Sequence, residues 1–357
     1  MAADAPTVAF TISHPHDVHL FRHAIATLDD EGYRTPVFVR EKEMTSHLLS
    51  AFDIPHTVLA GDHASKTGLV RSWSTFGYRL FGEARRIQPD LMVAEVGAIT
   101  SPVSRLVGTD SLIFMDAEHA SLQNRLVFPF ATRICTSTSF WTDIGPKQVR
   151  YDGYQELAYL HPDRFDPDPT VLTDSGIDPD DPLVVVRAVG WNAAHDINAG
   201  GFDRLDAVIA ELNATGATVV VSSEVELPDR LQPYRLTVEP HRLHDLLYYA
   251  DLYVGESATM ATESAVLGTP AVYVSTLDVG YTSDIAENYG LLFHYHDDDR
   301  QRRALDKATA ILDGSDTTDW DARLRHLLAD KRDTTDVILE QIRDMTAEPE
   351  PKPKVVR

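Results

Sequence analysis

Short runs of consecutive apolar residues alternate along this chain with longer stretches whose apolar positions recur every three or four residues. Val8–Ile12 is a run of the first kind and reads as a buried strand. The segment from about Asp17 is of the second kind: Leu20, Phe21, Ala24, Ile25 and Leu28 share one helical face, and Gly32 ends it. Val37–Val39 and Thr57–Leu59 predict further strands around a short helix near 44–52. A longer helix over about 69–87 turns Trp73, Phe76, Leu80, Phe81 and Ala84 inward until Pro89 stops it. Leu91–Ala94, Pro102–Val107, Ser111–Met115 and Arg133–Ser137 read as strands, with a helix starting near Glu118. Alternation of this kind, with near-continuous apolar strands, predicts a parallel sheet covered by helices on both faces.

From Tyr151 to Pro182 the chain is rich in proline and aspartate, which sustain neither helix nor central strand, so a domain boundary is expected near residue 170. Beyond it, Leu183–Arg187, Thr218–Ser222, Leu236–Val238, Leu252–Val254, Ala271–Val274 and Leu291–His294 alternate with helical stretches and predict a second parallel sheet. The expected architecture is α/β, with two Rossmann-like domains (residues 1–170 and 171–335) whose sheets face a cleft. A helix within 331–345 follows, and the proline-rich end, 346–357, is expected to be disordered. A chain of 357 residues is long enough for two cores.

Composition narrows the function classes. With 43% apolar and 24% charged residues the chain is neither disordered nor a membrane protein, and no run of 18 apolar residues or leader-like start occurs, so a cytoplasmic protein without a membrane span is expected. Lysine and arginine number 32 against 55 acidic residues, a net charge of −23 that argues against a nucleic-acid or anionic-lipid partner. Only seven lysines occur and aspartates run together at Asp297–Asp299, as on the acidic, lysine-poor surfaces of proteins from extreme halophiles; the charge is read as solvation, not as a site. Cys135, the single cysteine, lies in an apolar strand and can neither form an internal disulfide nor serve readily as a nucleophile.

No G-x-G-x-x-G follows the first strand and no phosphate-binding G-x-x-x-x-G-K-[ST] occurs, so ligand is expected between the two sheets, at the carboxyl ends of strands. The sharpest segment is Tyr253–Pro270: a buried strand, a turn of small residues, then a helix ending at Gly268 and Pro270. Backbone N–H groups at Ser257, Ala258 and Thr259, with Met260 in the same turn, suit a pyrophosphate, and Glu263 suits two ribose hydroxyls. The alternative is an ordinary strand-turn-helix unit with Glu263 solvated. Arg187 ends a buried strand, where a cation calls for an anionic partner such as a diphosphate.

In the loop Ser13–His19, His16, Asp17 and His19 stand where an acceptor could be contacted or deprotonated; equally, Asp17 caps the following helix, with His19 and His23 a turn apart on it. No cysteine cluster or His-Glu-x-x-His accompanies these histidines, so no metal is expected. Asp116, Glu118 and His119 follow a strand, where a carboxylate beside an imidazole can activate a hydroxyl or merely cap a helix. His195 and Asp196 are weaker candidates. The aromatic stretch Gly153–Pro162 either lines the hinge or packs the connection against both domains.

The Ser257–Pro270 segment resembles the Thr-Met, Glu-x-x-x-Leu-Gly-x-Pro signature of the C-terminal domain in GT-B-fold sugar-nucleotide proteins. With Asp17–His19, Asp116–Ala120, Asn124–Leu126 and Gly153–Pro162, it makes the chain similar to a mostly archaeal family, domain of unknown function 354, itself similar to UDP-N-acetylglucosamine 2-epimerases and GT-B glycosyltransferases. The resemblance implies a GT-B-like fold, a UDP-sugar or related sugar nucleotide as substrate with no cofactor, and a glycan or lipid-linked acceptor. It favours metal-independent glycosyl transfer, with Asp17, His19 or Glu118 as base, Arg187 and Ser257, Ala258, Thr259 and Met260 holding the diphosphate, and Glu263 holding the ribose. The epimerase alternative needs a second acidic residue before an Asn-Arg pair; here Glu118 matches the first, but Ser121, Leu122 and Gln123 precede Asn124 and Arg125. A non-catalytic binder is the third alternative, because Ser257 and Ala258 stand where relatives have paired glycines.

Overall fold

The computed structural model describes residues 5–42, 44–61, 66–116, 118, 124, 127–189, 201–223 and 226–347. Among the described residues twelve strands form two sheets. The first contains β1 (Val8–Ile12), β2 (Val37–Arg40), β3 (Thr57–Ala60), β4 (Leu91–Glu95), β5 (Asp110–Met115), β6 (Arg133–Ser137) and β7 (Gln148–Tyr151), in the order β3-β2-β1-β4-β5-β6-β7. The second contains β8 (Leu183–Ala188), β9 (Thr218–Ser223), β10 (Leu252–Gly255), β11 (Ala271–Val274) and β12 (Leu292–Tyr295), in the order β12-β11-β10-β8-β9. Every pairing is parallel. The central strands are buried on both faces, as their unbroken apolar runs require: Val8, Ala9 and Phe10 in β1, and Val184, Val185 and Val186 in β8, are wholly shielded from solvent.

In each sheet the strand order reverses once, between β1 and β4 and between β8 and β10. At such a point the connecting segments leave in opposite directions and open a crevice at the carboxyl ends of the two strands. The segments at those ends are Ser13–Asp17 after β1, Glu95 at the end of β4, Arg187 near the end of β8 and Ser257 after β10.

Two expectations are corrected and one strand is added. Pro102–Val107 is not a strand but part of the helix Thr100–Val107: Pro102 sits in its first turn, where no N–H partner is lost, Val103 is buried while Leu106 is exposed, and Gly108 closes it at φ +80°. Leu236–Val238 is not a strand either; Pro233 and Pro240 leave 3₁₀ turns at Asp229–Tyr234 and Pro240–Arg242, and Arg235 alone bridges to Val221. Gln148–Tyr151, to which the sequence assigned no element, adds an edge strand beside β6.

The last helix, Thr334–Thr346, buries Val337, Ile338, Leu339 and Ile342 and lies against the first helix (Pro15–Asp30) and the short helix Leu157–Leu160. Thr334 and Thr335 donate from their hydroxyls to the Tyr154 and Ala158 carbonyls at 2.6 and 2.7 Å, tying it to the connection. Tyr154 and Tyr159 of that connection are fully buried. Among the described residues no helix is long and apolar enough to cross a membrane. The tail beyond Ala347, together with His119, Arg125, His195 and Asp196, lies outside the described residues.

Candidate active site between the sheets

The first helix starts at Pro15, and its N-terminal turn is organised by Asp17. The Asp17 Oδ2 atom accepts the backbone N–H groups of Ser13 (2.7 Å) and His14 (3.2 Å), while His14 Nδ1 accepts the His16 N–H (3.2 Å), so His14 is the cap and Asp17, expected as the cap, lies inside the first turn and bonds back to it. The same carboxyl meets Glu95, and His16 Nδ1 lies 3.4 Å from Glu95 Oε2. One ligand-type atom from each of His16, Asp17 and Glu95 falls within 4.8 Å of the others. Glu95 is aimed there by a strained turn: Val96, a β-branched residue, has φ +56°, and Gly97 follows at φ +63° where a Cβ would lie 2.4 Å from Ile113 Cδ1.

Charge is partitioned unequally in this trio. Burial alone would raise the Glu95 carboxyl, but the hydrogen bond from Asp17 and the charge and hydrogen bond of His16 outweigh it and hold Glu95 down at about 2. Burial disfavours a charged His16, yet the charge and hydrogen bond of Glu95 lift the imidazole to about 10. Asp17 is driven well above the usual carboxylate range by burial and by Glu95. The unit therefore keeps one ionised carboxylate, Glu95, beside two proton carriers. Glu95 and Asp17 line a pocket of ≈ 340 Å³ with His14, Arg40 and Trp73.

Further carboxyls surround the trio. Burial and the Glu95 charge raise Asp116 to about 7, and burial with Asp116 raises Glu156 to about 8. Both line a cavity of ≈ 10 Å³, room for one water, together with Glu118, Gln155 and Tyr281. Gln155 is 3% exposed, and neither of its amide atoms has a partner among the described residues; Glu118 Oε2 has none either. Glu118 is held by its other oxygen, which accepts the Trp141 N–H at 3.2 Å and faces the Gly280 backbone across the interface between the sheets.

His19 lies elsewhere. Its ring is buried against Tyr159 (5.2 Å), His244 (4.7 Å) and Phe52 (5.6 Å), and burial followed by the His244 charge keeps it well below its ordinary value. This aromatic layer abuts Glu263, whose Oε1 accepts Tyr159 Oη–H at 2.8 Å and pairs with His244 Nε2 at 2.9 Å. Glu263 is 5% exposed; burial alone would raise it, but His244 and the Tyr159 hydrogen bond prevail and keep it ionised.

On the second sheet, Ser257 caps the helix Ala258–Leu267, its Oγ accepting the Met260 N–H at 3.3 Å. The N–H groups of Ala258 and Thr259 have no partner among the described residues and end the helix with its positive pole. Gly255 is required just before: a Cβ there would fall 2.3 Å from Tyr253 Oη and 2.8 Å from Arg187 Cβ, its register partner on β8. Arg187 Nη1 donates to Ser222 Oγ at 2.7 Å. Glu256 accepts the Val189 N–H (2.7 Å) and the Phe202 N–H (2.6 Å), fastening both flanks of 190–200.

The structure thus gathers Asp17 with Glu95 and His16, places Glu118 beside Asp116, Gln155 and Glu156, and sets His19 one ring layer from Glu263. Sequence reasoning passed over Glu95 and His244, and read Glu156 and Tyr159 only as part of the stretch Gly153–Pro162. Glu95 carried a usable signal, since it is the first polar residue after a buried strand, as Arg187 nearly is.

Two parallel sheets facing each other, with a helix N-terminus offered from one and an acid–imidazole cluster from the other, define a protein of the GT-B type of α/β fold. Residues 8–345 match the family described as protein of unknown function (DUF354), and the chain belongs to that family. Uncharacterized protein MJ0665 of Methanocaldococcus jannaschii is 24% identical over 273 residues, 72% of this chain and 78% of that one. The UDP-GlcNAc 2-epimerase of Neisseria meningitidis, solved with UDP-GlcNAc, superposes with a TM-score of 0.67 at 10% identity, covering 95% of this chain and 100% of that one. The spinosyn forosaminyltransferase SpnP gives 0.63 at 14% identity over 96% and 100%.

Proposed function

We propose that the protein is a GT-B-type glycosyltransferase that takes a UDP-sugar or related sugar nucleotide between its sheets and moves the sugar to a hydroxyl of a glycan or lipid-linked acceptor. Residues 1–170 form the acceptor side and 171–335 the nucleotide side, and the acidic, lysine-poor surface supports a salt-adapted archaeal protein of the cytoplasm. The observation that carries the reading is Glu95, an ionised carboxylate on the wall of a ≈ 340 Å³ pocket at the switch point of the first sheet.

In this reading the acceptor hydroxyl lies in that pocket and gives its proton to Glu95 as its oxygen attacks the anomeric carbon. The bond from that carbon to the diphosphate oxygen breaks, and its electron pair leaves with the nucleotide. The N–H groups of Ala258 and Thr259, with Arg187, stabilise the departing charge, and Glu263 holds the ribose. Asp17 and His16 act through Glu95, whereas His19 acts through Tyr159 and His244 as packing around Glu263. Glu118 holds the sheets together.

A second reading, sugar-nucleotide 2-epimerisation, is favoured by one specific feature. Asp116 and Glu156, raised to about 7 and about 8 beside the ionised Glu95, supply the second acid–base group that the sequence before Asn124 lacks.

Incubation with a panel of sugar nucleotides at high salt, with and without acceptors, tests both by following nucleotide release and sugar isomers by mass spectrometry and NMR. Glu95→Gln is expected to lower turnover by roughly 10²- to 10⁴-fold with UDP affinity intact, and Glu263→Ala to weaken UDP about tenfold. Isomers formed without acceptor would replace transfer by epimerisation. Equal UDP binding by Glu263→Ala would remove the ribose assignment, and UDP binding without turnover of any panel member would leave a non-catalytic binder.

A further inference from the structure

We propose a second binding site, outside the cleft that receives the sugar nucleotide, in which Arg22 takes the carboxylate or phosphate group of a small hydroxylated ligand. The site is a pocket of ≈ 470 Å³ lined by Arg22, His23, Phe52, His241, Asp245 and Arg164, among others. Three parts of the chain build it: the first helix with the turn after Ala51, the connection after Pro162, and the segment around the helix Leu243–Tyr249. A space of this size suits a small metabolite.

Arg22 is the unusual member. Its guanidinium lies 4.4 Å from the centroid of the Phe52 ring, and its Nε donates to His23 Nε2 at 3.2 Å. Neither Nη has a hydrogen-bond or ion-pair partner among the described residues. Its neighbours differ: Arg164 pairs with Asp333 (2.6 Å) and Asp336 (2.7 Å), and Arg242 with Asp168 (3.0 Å) and Asp174 (2.7 Å). In a chain with 55 acidic and 32 basic side chains, a desolvated guanidinium with no carboxylate in hydrogen-bond or ion-pair contact, Asp245 acting on it only through its charge, is an exception that calls for an external partner. Burial accordingly lowers Arg22 to about 10. Its planar fork matches two oxygens of a carboxylate or phosphate, and stacking on Phe52 holds the fork in place.

The surroundings complete the class of ligand. Because His23 Nε2 accepts from Arg22, its proton sits on Nδ1, a second donor; His241 Nδ1 is buried in the same pocket without a partner. Burial and the Arg22 charge keep His23 at about 4, so it donates as a neutral ring. Asp29, Asp53 and Asp166 stand exposed at the rim, where water and salt screen them from a bound anion and where they can accept from hydroxyls. The half-buried Asp245 is engaged by the Asp168 N–H at 3.1 Å. No lining residue belongs to the Glu95 trio or to the helix end at Ser257, so the site stands apart from the nucleotide reading.

Calorimetric titration in chloride buffer with glucose 6-phosphate, glucuronate, inorganic phosphate and glucose tests the proposal, using wild type, Arg22→Gln and Arg22→Lys. At least one of the two anionic sugars is expected to bind wild type, about tenfold or more weaker to Arg22→Gln and intermediate to Arg22→Lys, with glucose silent. The better of the two names the group, and inorganic phosphate binding as well as the sugar phosphate would remove the hydroxylated body. UDP affinity should be the same in all three proteins, which separates failure here from failure of the nucleotide reading. Independently of any variant, the ring signals of His23 and His241 should shift saturably in wild type on titration. Equal binding by wild type and Arg22→Gln, binding that leaves both histidines unmoved, glucose binding as well as its phosphate, or no binding of either anionic sugar up to about 10 mM would each overturn the proposal.

Discussion

Six carboxyls meet near the interface of the two sheets, and their individual environments decide which of them carries charge. Glu95 stays ionised because Asp17 and His16 bond to it, and Glu263 because His244 and Tyr159 do. Asp116 and Glu156, with burial against them and no such donors, hold their protons to about 7 and about 8. Their folded values lie above the unfolded ones near 3.8 and 4.5, so the stability they contribute is complete below pH 4 and is lost as the pH rises through 7 and 8. Thermal melts of wild type should therefore fall between pH 5 and 9, whereas Asp116→Asn and Glu156→Gln should flatten that decline and gain roughly 3 °C each at pH 8.5. A wild-type melting curve that rises over that range would contradict the assignment. Glu95 could have been found by the rule that singled out Arg187, a charge ending an apolar strand; Tyr159 and His244 carry no such mark, because tyrosine and histidine in a helical stretch read as packing.

At the level of elements, the contact between sheets depends on backbone brought very close to side chains. Gly280 opens the helix Gly280–Asp284 against the other sheet, and a Cβ there would fall 2.2 Å from the Ser139 carbonyl oxygen and 2.7 Å from Glu118 Oε1. Gly280→Ala should cost about 1–3 kcal/mol through overpacking and separate Glu118 from its neighbours, read as a lower melting temperature and a larger radius of gyration by small-angle scattering. An unchanged melt and radius would show that the interface yields freely. The helix Ala258–Leu267 was legible because its cap, length and Gly-x-Pro exit are local features. The helix Thr100–Val107 was not, because six residues with two valines fit either period, and only its place over β4 and β5 settles the matter.

For the whole molecule, net charge and the join between the sheets set the conditions of stability. Lys331 pairs with Asp284 at 2.9 Å and lies over the Tyr154 ring, and Tyr154 bonds to Asp284, so three segments meet in one buried contact. Around it a surplus of 23 negative charges repels itself. Salt shortens the range of that repulsion while leaving the buried pair little affected. Raising KCl from about 0.2 to about 2 M should lift the melting temperature by roughly 5 °C or more, measured by circular dichroism. A melting temperature that falls with salt would mean that exposed ion pairs, such as Arg302 with Asp299 and Asp306, outweigh the repulsion.

By itself the sequence determined what depends on neighbours along the chain: eleven of the strands, through unbroken apolar runs such as Val184–Val186; the helix start after Ser257; the buried Cys135; and the acidic surface. Strand order, and with it the two switch points, came only from the fold, since parallel neighbours such as β1 and β4 are joined by register across some eighty residues. The charge states followed from that order. Asp17 was visible as a cap or a base, but only the return of β4 beside β1 brings Glu95 against it, and a carboxyl's proton affinity is set by the water it loses and the charges it meets in space.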